Sequence, residues 1–212
     1  MDPRHSPDGA ATADPGERAK QERRRQIVAS AKAVFADAGY HGASIHAIIE
    51  KAQIARGTFY LYFSGKAAIF DTILDQAMAE LRARIRRIEV VDPAAPPPQV
   101  QLREQVVSTL AYIVSDRPLA MLLMSAGHTP DAEATERLDQ FFAEVRHLVK
   151  RALETGMELG LVRPCQPELV AAALLGMIRG VIELMVHQSD GPTVDEVVNE
   201  MLLVALRGVL KA

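Results

Sequence analysis

Apolar residues recur along this chain at the spacing of a helix, and no stretch shows the alternation of a strand. Ile27, Ala31, Val34, Phe35 and Ala38 mark one face of a helix that starts near Glu17 or Arg18. Gly39 is placed to end it, since glycine takes a left-handed cap at little cost. Ser44 can cap a short helix whose Ile45, Ile48 and Ile49 face inward. The pattern breaks over Ala52, Gln53, Ile54 and Ala55, then resumes in a second short helix carrying Phe59, Tyr60, Tyr62 and Phe63. Beyond Ser64 and Gly65 a long helix is predicted from Lys66 to about Ile88. Pro93, Pro96, Pro97 and Pro98 make a connector, because proline removes a donor and clashes inside a helix. Further helices are predicted at about Gln99 to Val114, Pro118 to Ala126, Asp131 to Leu159, Pro167 to His187 and Thr193 to Val209. The expected fold is all-α, with about nine helices.

Composition narrows this picture. Residues 1–17 hold three prolines and two glycines without periodicity and read as a disordered tail. The single cysteine excludes a disulfide framework and a cysteine-rich zinc module. No tryptophan and 5% aromatics require an aliphatic core. The longest clean apolar run, Leu169 to Ile178, falls well short of a membrane span, and no signal peptide opens the chain, so a cytoplasmic protein is expected. The formal charge of −3 hides a segregation. Residues 18–66 carry nine basic against three acidic groups, +6, and residues 67–212 carry fourteen against twenty, −6. A cationic head on an anionic body points to a polyanionic partner at one end only.

The head also concentrates aromatic residues. Arg56-Gly57-Thr58-Phe59-Tyr60-Leu61-Tyr62-Phe63 has four of them in eight positions. Phe59 and Phe63 share one helical face as core, and Tyr60, Leu61 and Tyr62 then point elsewhere. A support helix, a short helix, a turn and a second short helix make a helix-turn-helix. With Gly39-Tyr40, Ser44-Ile45, Ile48, Gly57-Thr58-Phe59-Tyr60-Leu61-Tyr62-Phe63 and Lys66, the segment from about 20 to 70 resembles the TetR family of transcriptional repressors. Gln53 stands where the family commonly has the turn glycine, Ala55 where it has a capping Ser or Thr, and His46 where it often has Arg.

The resemblance implies a DNA-binding domain over residues 18–65 and a ligand-binding and dimerisation domain over 66–212. It implies DNA contacts from Arg56 and Thr58 at the start of the recognition helix and from Tyr60 and Leu61 on its groove face. Tyr62 and Lys66 would meet phosphate, and Ser44 and His46 would flank from the helix before. It implies a homodimer on a palindromic operator and a small-molecule effector, with no cofactor. Leu174, Met177, Gly180, Val181, Leu184, Val198, Leu202 and Ala205 on the last two helices are the expected dimer interface. Tyr112, Met121, Met124, Phe141, Phe142 and Arg179 are the expected ligand contacts; Arg179, four residues before Glu183, suits an ion pair with it or a polar patch at the dimer seam first and an anionic ligand group second.

Rival chemistries are thinner. His41 and His46 lack further ligands for a metal. Cys165 has no basic helix terminus clearly facing it. Ser108, Ser125, His128 and His147 come without a nucleophile elbow or oxyanion loop, so neither catalytic nor metal residues are expected. A transcriptional activator of the same fold, or a helical protein that binds a small molecule or partner and DNA only weakly, remain the alternatives.

Overall fold

The computed structural model describes residues 14–125, 131–188 and 191–209. Among them the chain forms nine helices and no strand. They are α1 (Pro15–Gly42), α2 (Ile45–Ala52), α3 (Arg56–Tyr62), α4 (Lys66–Arg84), α5 (Pro98–Ser115), α6 (Arg117–Met124), α7 (Ala132–Glu158), α8 (Pro167–His187) and α9 (Val194–Val209). Prolines open α1, α5, α6 and α8 within their first two positions, where a missing N–H costs nothing. Asp116 and Asp131 cap α6 and α7 by accepting from the N–H groups of Leu119 and Ala134, each at 3.1 Å.

Three boundaries differ from expectation. The support helix begins at Pro15, so residues 15–17 are helical; the rest of the expected tail, up to residue 13, lies outside the described residues, as do Gly127 and His128. Gly39 breaks the helical path of α1 where an end was expected, at the non-helical φ 67° and ψ 169°, and one further turn runs on past the kink to Gly42. The long helix stops at Arg84 rather than near Ile88, and an irregular connector begins at Ile85. That connector holds its own shape. Glu89 Oε1 accepts from the N–H groups of Val91 and Asp92, and Gln101 Nε2 donates to the carbonyls of Glu89 and Pro96. These local bonds compete with a further turn of helix.

Buried side chains form one continuous cluster from head to body, aliphatic except for Phe35, Tyr40, Phe59, Phe63, Phe70 and Phe141. Phe70 meets Phe35 and Tyr40 edge to face at 5.4 and 4.8 Å, which locks α4 onto α1. In the body α7 packs on α8, α5 on α9, and α6 on both α1 and α8. Polar contacts reinforce the seam between head and body. Lys32 of α1 pairs with Asp116 at the start of α6. Tyr40 donates to Glu133 of α7 at 3.2 Å, and Arg137 of α7 pairs with Asp71 of α4 and with Glu133.

Candidate nucleic-acid interface

The helix-turn-helix is assembled by α1. Gln26 of α1 donates to the carbonyl of Ala52 at 2.8 Å, satisfying the last turn of α2. Gln53 then takes the left-handed conformation, φ 50° and ψ 48°, and its N–H returns to the carbonyl of Glu50. This is the position for which the family's glycine is suited, and glutamine adopts it at a cost. Ser44 caps α2, its hydroxyl accepting from Ala47 N–H at 3.1 Å. Ala55 precedes α3 without a side-chain cap.

On α3, Phe59 is fully buried and Phe63 nearly so, which fixes the rotation of the helix. Leu61 is left 82% exposed and Tyr60 45% exposed. Arg56 and Gly57 are exposed as well, while Thr58 and Tyr62 are half-buried. The Arg56 guanidinium sits 5.9 Å from the Tyr60 ring, so the two form one cationic and aromatic surface. His46 is exposed on α2 beside Glu50, at 3.7 Å. Arg56, Tyr60 and Leu61 thus share the outward face of a seven-residue helix, a shape and charge suited to a major groove.

Lys66 stands apart from this surface. Its ammonium donates to the carbonyls of Tyr40 at 2.8 Å and Ala43 at 3.3 Å and lies 4.3 Å from the Tyr40 ring. It caps the end of α1 from the first turn of α4. That geometry gives Lys66 a scaffold role beside the phosphate contact expected of it.

In the body, Phe141 belongs to the core and meets Phe142 edge to face at 5.4 Å. Met121, Met124 and Phe142 are partly buried against that core, and Arg179 donates to the Met124 carbonyl at 3.1 Å. Tyr112 lies elsewhere, on the seam of α4 and α5 under the Arg84 guanidinium at 4.4 Å, and burial pushes its hydroxyl upward. The six expected ligand residues therefore do not gather around one enclosed space. Among the described residues there are an open groove of about 680 Å³ along α7, lined by Thr135, Glu136, Asp139, Gln140 and Arg146 among others, and a shallow hollow of about 390 Å³ at Gly180, Glu183, Leu184 and Gln188, of which Gly180, Glu183 and Leu184 lie on α8. Thr109 carried no signal in the sequence; its hydroxyl on α5 is buried without a hydrogen-bond partner among the described residues. Among the described residues no three His, Cys, Asp or Glu side chains gather as a metal site.

The expected interface residues divide. Gly180 and Leu184 are exposed on α8, and Leu174, Met177, Val181, Leu202 and Ala205 are partly exposed. Val198 is fully buried within its own chain, which leaves it no surface for a partner. The same face of α8 exposes Gly176, which pairs with Gly180 at small-residue spacing, together with Leu169, Ala172 and Ala173, and α9 exposes Leu203 and Val204. By length and composition alone, Pro167–Val186 is apolar enough to cross a membrane.

Comparison with known proteins matches both halves. The model for bacterial regulatory proteins of the tetR family covers residues 27–73, and that for the tetracyclin repressor-like C-terminal domain covers residues 95–209, more than half the chain. The uncharacterized HTH-type transcriptional regulator YhgD of Bacillus subtilis is 24% identical over 73% of this chain and 79% of its own length. The HTH-type transcriptional repressor DhaR of a Mycobacterium species is 26% identical over 85% and 92%. Among solved structures, FadR of Bacillus subtilis in complex with stearoyl-CoA shares the fold, with a TM-score of 0.69 at 20% identity over 87% of this chain and 98% of that one. A helix-turn-helix head with a groove-shaped outer face, on a helical body matched over its length, makes this chain a DNA-binding transcriptional regulator of the TetR family.

Proposed function

We propose that the chain acts as a homodimeric repressor that sits on a palindromic operator and leaves it when a small effector enters the body. One observation carries the dimer: α8 keeps a bare apolar stripe of Leu169, Ala172, Ala173, Gly176, Gly180 and Leu184 along one face. A Cβ built on Gly176 or Gly180 meets nothing of its own chain within 4 Å. Small residues let a partner helix approach closely, and an apolar face that long is costly to leave in water. A second copy offers the complementary stripe by two-fold symmetry, with Leu203 and Val204 of α9 beside it.

Pairing brings two recognition helices to successive major grooves, about 34 Å apart. Arg56, Thr58, Tyr60 and Leu61 would meet base edges, with Tyr62, Ser44 and His46 at the backbone and Lys66 holding the scaffold behind them. The effector reading rests on the adaptable, partly buried side chains of Met121, Met124 and Phe142 packed against the core, on the partnerless Thr109 hydroxyl, and on a protein of the same fold solved in complex with stearoyl-CoA. A ligand preferring a spacing other than that of the operator would release DNA by shifting populations.

The test is Gly180→Arg. The new side chain has open space in the monomer, so the chain should still fold, with melting that no longer depends on protein concentration, while sedimentation should show monomer and binding to an operator selected from random duplexes should be lost. An intact dimer that still binds would refute the pairing.

A further inference from the structure

The outward face of α3 presents few kinds of chemical group. Arg56, Gly57, Tyr60 and Leu61 are its exposed residues, because Phe59 is turned inward and Thr58 and Tyr62 are half-buried. Residues four apart lie one above the other on a helix, so the face divides into two rows, Arg56 with Tyr60 and Gly57 with Leu61. The helix carries no Asn, Gln, Asp or Glu. An amide side chain is what pairs with adenine through two bonds in the major groove, and a carboxylate is what accepts from cytosine. Neither base can be read in those ways by α3.

The first row holds a fork of donors beside a ring. The Arg56 guanidinium lies 5.9 Å from the Tyr60 ring and makes no ion pair or side-chain hydrogen bond among the described residues. An aromatic ring attracts the cation but offers no lone-pair acceptor for its N–H groups. The donors stay open, while the ring narrows the range of positions the guanidinium takes, so less freedom is lost when a partner binds. A planar fork of two parallel donors matches guanine, whose O6 and N7 both accept. The second row is apolar and bare. Leu61 is 82% exposed, and a Cβ built on Gly57 meets nothing within 4 Å. A glycine one turn before an exposed leucine lets a base edge come close to the helix backbone. The apolar group that a major groove offers a leucine is the thymine methyl.

We propose that Tyr60 positions the Arg56 guanidinium on a guanine and that Leu61, over Gly57, packs on a thymine methyl. Arg56 and Leu61 are about 7.5 Å apart along the helix axis, so each operator half-site carries a guanine and, within about three base pairs of it, a thymine. This base assignment rests on the operator reading above and adds the content of the half-site to it. The competing placement puts Arg56 on a phosphate, where it would carry no preference among bases.

The test selects an operator for the full chain from random duplexes. The parent, Arg56→Ala, Tyr60→Phe, Tyr60→Leu and Leu61→Ala are then titrated against it, against a random duplex and against altered copies. The copies replace each guanine in turn by another base, or by guanine lacking its N7 acceptor, and each thymine by deoxyuridine, which lacks the methyl. At one guanine of each half-site the parent should lose about 10- to 100-fold in affinity, and Arg56→Ala less than about threefold. Tyr60→Phe keeps the ring and should keep that discrimination, whereas Tyr60→Leu should lose most of it. Discrimination is a ratio of affinities for one protein, so a modest loss of stability from the Tyr60 contact with Phe59, at 5.4 Å, does not move it. Leu61→Ala should keep the guanine preference and cease to distinguish thymine from deoxyuridine. Arg56→Ala weakened equally on operator and random duplex, with the parent's base preferences, would put Arg56 on phosphate and overturn the assignment while leaving the operator reading intact. Tyr60→Leu with the parent's discrimination, or Leu61→Ala still sensitive to the methyl, would overturn it as well. A parent protein that selects no duplex would overturn both readings.

Discussion

Replacing Lys66 with methionine separates scaffold from phosphate contact. Methionine keeps the length and apolar stem of the side chain and removes the ammonium. Two carbonyls at the end of α1, those of the buried residues Tyr40 and Ala43, then lose their donor. A hydrogen bond to a charged group contributes about 1.5–3 kcal/mol, and the stacked ammonium adds about 0.5–2 kcal/mol. The three contacts share one atom and do not add fully, so the expected loss is about 2–4 kcal/mol. For a chain of this length that corresponds to a fall in melting temperature of about 5–15 °C. Calorimetry at fixed protein concentration measures it, because dimerisation makes melting depend on concentration. The salt slope of DNA binding should stay that of the parent. A variant that melts within a degree or two of the parent, with a slope flatter by about two units per dimer, would refute the scaffold role and return Lys66 to the phosphates.

Other positions give independent tests. The Tyr40 hydroxyl is pushed up to about 12, first by burial and then by the Glu133 carboxylate it donates to. A raised value stabilises the fold below the ordinary tyrosine range near pH 10 and is lost as pH climbs from there through about 12. Tyr40→Phe should flatten that alkaline limb in urea titrations at stepped pH, and an unchanged limb would place the titration elsewhere. Gln53→Gly should raise stability by about 0.5–1 kcal/mol by relieving the left-handed backbone, read as a higher urea midpoint with the same slope. Tyr60→Ala should lose about 1–3 kcal/mol on the selected operator and much less on random duplex, and equal losses on both would remove Tyr60 from base readout.

The helices were legible because their limits are written in residues with local effects. Pro98 and Pro167 start helices wherever they stand, and the pair Phe59 and Phe63 sets the phase of α3 and so exposes Tyr60 and Leu61. What failed depends on partners distant in sequence or on bonds weaker than a proline. Nothing near Lys66 tells that the end of α1 will arrive beside it. Val198 looks like its apolar neighbours on α9 until the packing of α5 and α8 shows which side is covered. The early stop of α4 follows from Glu89 and Gln101, twelve residues apart, tying the connector down. The ligand residues dispersed because an apolar side chain in a helical body serves core and pocket alike, and periodicity does not distinguish them.

The continuity of the core bears on how an effector in the body could move the head. A hinge needs a seam with few contacts, and the junction here is the opposite. Asp116 caps α6 through the Leu119 N–H and also pairs with Lys32 in the middle of α1. Glu133, in the first turn of α7, accepts from Tyr40 and from Arg137, and Arg137 reaches Asp71 of α4. Both helices that enter the head, α1 and α4, are therefore held by residues near the starts of α6 and α7. A shift of α6 has either to carry α1 with it or to leave Lys32 and Asp116, both about three-quarters buried, without each other. Stranding such groups costs more than a small rigid rotation of a packed unit, so displacement of α6 or α7 would reach the recognition helix as reorientation of the whole head. Under the proposed dimer, two such rotations act on one distance, the separation of the two recognition helices, and this is the quantity a palindromic operator measures.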